Sequence, residues 1–149
     1  MCLKVLPPNV NTTTTHLFAS GAKDSTIKIW SLTSFECLKT LLGHTSFICD
    51  FELTNGKMSH LISGAADSTI RVWDLLTYEC IKVFNGHKQS VKGLKVFPKK
   101  ISQQRQIEEE CLLSTSSDNT VRIWDLNTGE CTLTIATNWE VSKLELCPI

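Results

Sequence analysis

Residues Ser63–Asp74 read SGAADSTIRVWD. Taken alone, the stretch offers a serine and two aspartates, with His44 upstream, which are the ingredients of a nucleophile, a base and an orienting acid. The same string occurs three times. SGAKDSTIKIWSLTSFEC from Ser20, SGAADSTIRVWDLLTYEC from Ser63 and STSSDNTVRIWDLNTGEC from Ser114 align without a gap. Their tryptophans, Trp30, Trp73 and Trp124, lie 43 and then 51 residues apart, and the excess of eight falls inside PKKISQQRQIEEE, Pro98–Glu110. A fixed period of this size marks stacked structural units, and a chemistry needed once has no reason to be copied at that period.

Inside each unit apolar and polar residues alternate with period two, which predicts strands. In TIRVWDL, Ile70, Val72 and Asp74 face one way while Arg71, Trp73 and Leu75 face the other. HLIS, CIKVF and VKGLKVF are also short and apolar, and Gly, Asn, Asp or Pro bounds them. Each unit of about forty residues therefore holds four short strands. The one helix-tolerant stretch is the polar SQQRQIEEE.

With Gly43-His44 and Gly86-His87 preceding Trp73-Asp74 and Trp124-Asp125, and an aspartate six residues before each tryptophan, the chain resembles the WD40-repeat family over nearly its whole length. The resemblance implies an all-β fold, a partial β-propeller of three four-stranded blades plus one extra inner strand. One repeat segment spans 1–149, with blades at about 2–41, 46–84 and 90–136 and a partial inner strand at 140–148. It also implies that Asp67, His44, Ser63 and Trp73 form a structural hydrogen-bond chain, repeated by Asp118, His87, Ser114 and Trp124. Ser20, Asp24 and Trp30 would form a first copy without its histidine. Asn138 stands where the next histidine would be, and Ser31 replaces the first aspartate of the Trp-Asp pair.

Composition narrows the function classes. Fifteen Lys and Arg balance fifteen Asp and Glu, so no net field draws the chain to nucleic acid or an anionic membrane. No apolar run reaches the ~18 residues that span a bilayer, and MCLKVLPPNV is too short in apolar residues for a secretory signal. Seven cysteines without a C-x-x-C pair fit a reducing compartment, so the expected location is cytoplasmic or nuclear. Asn11 in NTT then reads as a chance match to a glycosylation acceptor. Cys37, Cys80 and Cys131 each follow their tryptophan by seven residues, which puts them in one column on the outermost strands and not around a metal. His16 and His60 lack ligand-like neighbours. No cofactor, metal or catalytic residue is expected.

The leading function is a non-catalytic scaffold for other proteins or peptides. A docking rim is expected on the Gly-His side. Lys23, Ala66 and Ser117 lie just before the loop aspartates, and Phe47, Cys49, Ser90, Lys92, Glu140 and Ser142 lie at the starts of the inner strands. Phe47 and Lys92 are the most telling, an apolar anchor and a charge that core packing would not choose. Substrate recruitment to a ubiquitin ligase is a narrower form, because TIKIW-like strings also resemble F-box WD proteins. The alternative class is an RNA- or ribonucleoprotein-assembly WD40 factor, which would want a basic, aromatic rim. The insertion at 98–110 sets a basic end against an acidic end and reads as a solvated loop, with partner binding as its second role. Three blades leave two apolar flanks, so further blades, or self-association giving about six to seven blades from two copies, are expected to close the ring.

Overall fold

The structure is a computed structural model that describes residues 2–7, 16–54, 60–99 and 109–141. Among the described residues twelve strands form three antiparallel four-stranded sheets, each a meander in chain order. Blade 1 holds β1 (Cys2–Leu6), β2 (Leu17–Gly21), β3 (Ile27–Ser31) and β4 (Cys37–Leu41). Blade 2 holds β5 (Ile48–Leu53), β6 (His60–Ala65), β7 (Ile70–Asp74) and β8 (Cys80–Phe84). Blade 3 holds β9 (Val91–Lys99), β10 (Glu109–Ser116), β11 (Thr120–Asp125) and β12 (Cys131–Ala136). The expected all-β class and three four-stranded blades are present. The proposed inner strand at 140–148 lies almost wholly outside the described residues, as does Ser142.

The turns follow from side chains that bond their own backbone. Between the two middle strands, Asp24, Asp67 and Asp118 each use Oδ1 to accept from the amide and hydroxyl of the threonine two residues on, at 2.6–3.0 Å. Ser25, Ser68 and Asn119 then take the left-handed conformation. Beyond each tryptophan, Asp74 Oδ1 accepts from the amides of Leu76 and Thr77, and Asp125 Oδ1 from those of Asn127 and Thr128. Ser31 Oγ makes the same two bonds to Thr33 and Ser34 at 3.1 Å, so a hydroxyl does the aspartate's work in blade 1. The strands after these turns start with Cys37, Cys80 and Cys131, each opposite its tryptophan across a bulge.

One boundary differs from the sequence reading. The insertion was expected to be a loop from Pro98 to Glu110, but β9 runs to Lys99 and β10 starts at Glu109, paired Glu109 with Lys99 and Glu110 with Pro98. The hairpin extends because antiparallel ladder bonds continue past the apolar core whatever the side chains outside it. Residues 100–108 lie outside the described residues.

The blades stack through their faces. Leu61 and Trp73 of blade 2 bury against Leu17, Ala19, Ile27, Ile29 and Leu41 of blade 1. Leu112 and Trp124 of blade 3 bury likewise against Ile62, Ile70, Val72 and Phe84 of blade 2. Specific polar links cross the same interfaces. Asp50 Oδ2 accepts from the Leu94 amide at 2.8 Å, and Lys82 Nζ donates to the carbonyls of Leu126 and Asn127 at 2.7 and 2.6 Å. On the innermost strands, Glu52 takes an ammonium from each neighbour, Lys4 on one side and Lys95 at 3.0 Å on the other. Burial alone would raise the Glu52 carboxyl, but these two ammoniums and the Leu53 amide hold it below its ordinary value.

Candidate functional site

The loops entering β5 and β9 carry Gly43-His44 and Gly86-His87, and both imidazoles are buried between blades. Trp73 Nε1 donates to Ser63 Oγ at 2.8 Å, Ser63 Oγ lies 2.8 Å from His44 Nε2, and His44 Nδ1 lies 2.8 Å from Asp67 Oδ2. Trp124, Ser114, His87 and Asp118 repeat the chain at 2.8, 2.7 and 3.0 Å. The indole can only donate, so the serine oxygen accepts from it and gives its own proton to Nε2. Nδ1 therefore carries the ring proton and donates to the aspartate, leaving the histidine neutral with every polar hydrogen placed. Asp67 and Asp118 also accept the backbone amides of Thr45 and Lys88, which ties each incoming loop to the next blade.

Among the described residues blade 1 has the first link alone, Trp30 Nε1 to Ser20 Oγ at 2.8 Å. Asp24 sits exposed on its turn. Ser63 and Ser114 have no solvent-exposed surface, so neither hydroxyl is open to a substrate. Within the blade interface the chain holds a geometry.

Burial pushes both His44 and His87 below their ordinary 6.5, against the pull of Asp67 and Asp118. Burial would raise the two carboxyls, but their amide, threonine and histidine donors hold them below 3.8. Unfolding returns the histidines to a more basic state, so the unfolded chain binds more protons below pH 6.5 and stability is lost as pH falls. The aspartates add a second loss at more acid pH. The urea midpoint is expected to drop steadily from about pH 7 to about pH 5. A His44→Gln, His87→Gln double variant, less stable at neutral pH, should show a flatter profile over that range. A wild-type midpoint constant over the range would contradict a neutral buried imidazole.

Backbone and side-chain contacts link several of the residues expected at the docking rim, and Ser142 lies outside the described residues. The Phe47 carbonyl accepts from the Ala66 amide at 2.9 Å, and the Ser90 carbonyl from the Ser117 amide at 3.0 Å. Ser117 Oγ donates to Glu140 at 2.7 Å, and Lys92 Nζ lies 3.8 Å from the same carboxylate. Cys49 is half-buried beside them, its thiol pushed up by burial. Lys23 is exposed next to Ala22, whose carbonyl accepts from the Ile48 amide at 3.3 Å. Phe47 is 42% exposed, a large apolar ring open to water.

Other positions carried no sequence signal until aligned in space. Lys28 and Arg122 lie over the rings of Trp30 and Trp124 at 6.0 and 5.9 Å, so these mid-strand cations cover the indoles. Arg71 at the equivalent position reaches Cys80 Sγ at 3.7 Å. Cys80 and Cys131 also donate to the carbonyls of Lys82 and Leu133. His16 is exposed and His60 opens β6, opposite Asp74. Among the described residues no cluster of His, Cys, Asp or Glu could hold a metal ion, and no helix is long and apolar enough to cross a membrane.

Repeated four-stranded blades locked by a Gly-His loop, a turn aspartate and a tryptophan define a WD-repeat protein. The WD domain, G-beta repeat family matches residues 2–31, 35–74 and 78–125, and the chain belongs to it. It is similar to the nuclear distribution protein PAC1 of Coccidioides posadasii (strain C735), 35% identical over 119 residues, which is 78% of this chain and 25% of that protein. It is also similar to the nuclear distribution protein nudF of Aspergillus niger, 36% identical over 115 residues, 76% of this chain and 24% of the relative. A shorter match of 36 residues at 47% identity is to mitochondrial division protein 1 of Mycosarcoma maydis, covering 24% of this chain and 4% of that protein. The chain thus spans about a quarter of the length of the nuclear distribution relatives.

Proposed function

We propose that the chain is a non-catalytic interaction scaffold of WD40 type that holds a peptide or partner domain on its Gly-His rim, in the cytoplasm or nucleus. The observation that carries this is Phe47: an exposed ring on a loop whose backbone is held by the Ala66 amide. The exposed apolar Phe47 and the separate polar cluster of Lys92, Glu140 and Ser117 supply the residue types of a binding hot spot and its border. The similarity to proteins named for nuclear distribution supports a WD40 interaction scaffold. The narrower assignment to ubiquitin-ligase substrate recruitment gains nothing from them, and the chain's zero net charge lends no support to the ribonucleoprotein alternative.

Phe47→Asp and Lys92→Glu are each expected to reduce capture of bound proteins in a pull-down while leaving the far-UV circular dichroism unchanged. Deleting residues 101–108 should matter less. The opposite ranking would move the binding surface to the insertion.

A further inference from the structure

What repeats from blade to blade is scaffold, so binding chemistry lies where the copies differ. The inner strands of blades 2 and 3 both open on a bulge. Ile48 pairs with Ala65 and Asp50 with Gly64, leaving Cys49 over, and Val91 pairs with Ser116 and Gly93 with Thr115, leaving Lys92 over. A bulge re-aims its extra side chain out of the ladder, here at the strand end next to the Gly-His loop. Close by, the turn between the two middle strands contributes Ala66 in blade 2 and Ser117 in blade 3. Blade 2 thus presents a thiol and a methyl at this place, whereas blade 3 presents an ammonium and a hydroxyl. In blade 1 the turn residue is Lys23, and the bulge position lies outside the described residues.

The pair on blade 3 already holds a carboxylate of its own chain. Ser117 Oγ donates to Glu140 Oε1 at 2.7 Å, and Lys92 Nζ stands 3.8 Å from the same oxygen. A short turn after β12 brings Glu140 there: the Thr137 amide donates to the Asn119 carbonyl at 2.8 Å, and the Thr137 hydroxyl lies 2.7 Å from the Trp139 carbonyl. The ion pair is loose. Lys92 and Glu140 keep 30% and 48% of their side-chain surface in water, and exposed pairs of this kind are screened and contribute little. The ammonium also acts beyond its partner. Burial pushes the Cys49 thiol up while Lys92 pulls it the other way, so the charge is felt on the neighbouring blade. That thiol lies 3.8 Å from the Phe47 carbonyl, and Cys49 thus links the ammonium of one blade to the loop that carries Phe47.

We propose that Lys92 and Ser117 form a cradle for an acidic side chain of a partner peptide, and that Glu140 is a resident occupant which the partner displaces. This rests on the rim-docking reading and gives the partner its chemistry. One ammonium and one hydroxyl match a singly charged carboxylate. A phosphoryl group, with about two negative charges and three acceptor oxygens, would leave acceptors unmet. Displacing Glu140 uncovers no core, because Thr137 is only half-buried and residues 138–140 are exposed.

The test follows the fluorescence anisotropy of a short labelled peptide of repeated Gly-Leu-Glu units on the 149-residue chain. Parent, Glu140→Gln, Glu140→Ala, Lys92→Ala and Ser117→Ala proteins are compared, together with peptides that carry glutamine or phosphoserine in place of glutamate. Both Glu140 variants should bind the acidic peptide about three- to tenfold more tightly than the parent, since an occupied site lowers apparent affinity by its free fraction. Lys92→Ala should weaken binding, Ser117→Ala should weaken it less, and added salt should weaken it in every protein that keeps Lys92. Affinity that both Glu140 variants leave unchanged or lower overturns the proposal, as does equal binding of the glutamine peptide or no binding of the acidic peptide by any variant. Tighter binding of the phosphoserine peptide than of the acidic one to Glu140→Ala would make the site a phosphate site and overturn the carboxylate assignment. The rim reading fails separately. Protein capture that Phe47→Asp reduces, beside peptide binding indifferent to Lys92 and Glu140, leaves the rim standing and removes the cradle, whereas capture indifferent to both Phe47→Asp and Lys92→Glu removes the rim.

Discussion

Replacing Trp73 by alanine is expected to lower the unfolding free energy by about 3–5 kcal/mol. The indole is nearly fully buried between blades 1 and 2 and belongs to the core cluster shared by both. Its removal leaves a cavity and also strips Ser63 of its donor. Ser63→Ala keeps the packing and loses the links to the indole and the imidazole, for about 1–2 kcal/mol. Chemical denaturation ranks the two, and equal midpoints for both variants and the parent would remove the hydrogen-bond chain from any account of stability. An esterase activity abolished by Ser63→Ala would overturn its structural role altogether.

Gly64→Val is expected to cost about 3 kcal/mol, the upper part of the range for an overpacked core. Gly64 lies in the middle of blade 2, and a Cβ on it would stand 2.7 Å from Val91 Cγ1 of the next inner strand. Neither partner can give way, because Val91 is itself fully buried. Gly21 stands in the same relation to Ile48, again at 2.7 Å. The two glycines set how closely one blade's inner strand approaches the second strand of the blade before it. A Gly64→Val protein with an unchanged urea midpoint would mean the blades can separate at no cost.

The blade count, the strand alternation and both complete hydrogen-bond chains could be read from the residues because each is written at the period of the repeat. Three copies of Ser, Asp and Trp at fixed offsets leave one geometry that satisfies them all. What stayed hidden depends on differences between copies. Phe35, Tyr78 and Gly129 look like ordinary turn residues until their φ values place all three in the left-handed region, which strains the two that carry side chains. Lys82 reads as a surface strand residue, yet it caps two carbonyls of the next blade, and Leu133 at the equivalent place in blade 3 cannot do so. The change from Gly21 and Gly64 to Thr115 looks conservative in a serine-rich string, but it removes the space into which a neighbouring branched side chain fits. Pairwise complementarity between blades is a property of three-dimensional neighbours, and periodicity carries no trace of it.

The Lys4–Glu52–Lys95 contact gives the three near-identical sheets distinct addresses. Repeat proteins fail characteristically by misassembly, when one unit takes the seat of another. Here such an error has an electrostatic penalty. Seating blade 3 directly beside blade 1 would bring two ammoniums together with no carboxylate between them, on strands where each lysine is only partly exposed. Hydrophobic faces built to one pattern cannot tell a neighbour from a stranger, whereas signs that alternate along the inner strands can. The sequence order of the blades is thus also the order in which their charges cancel.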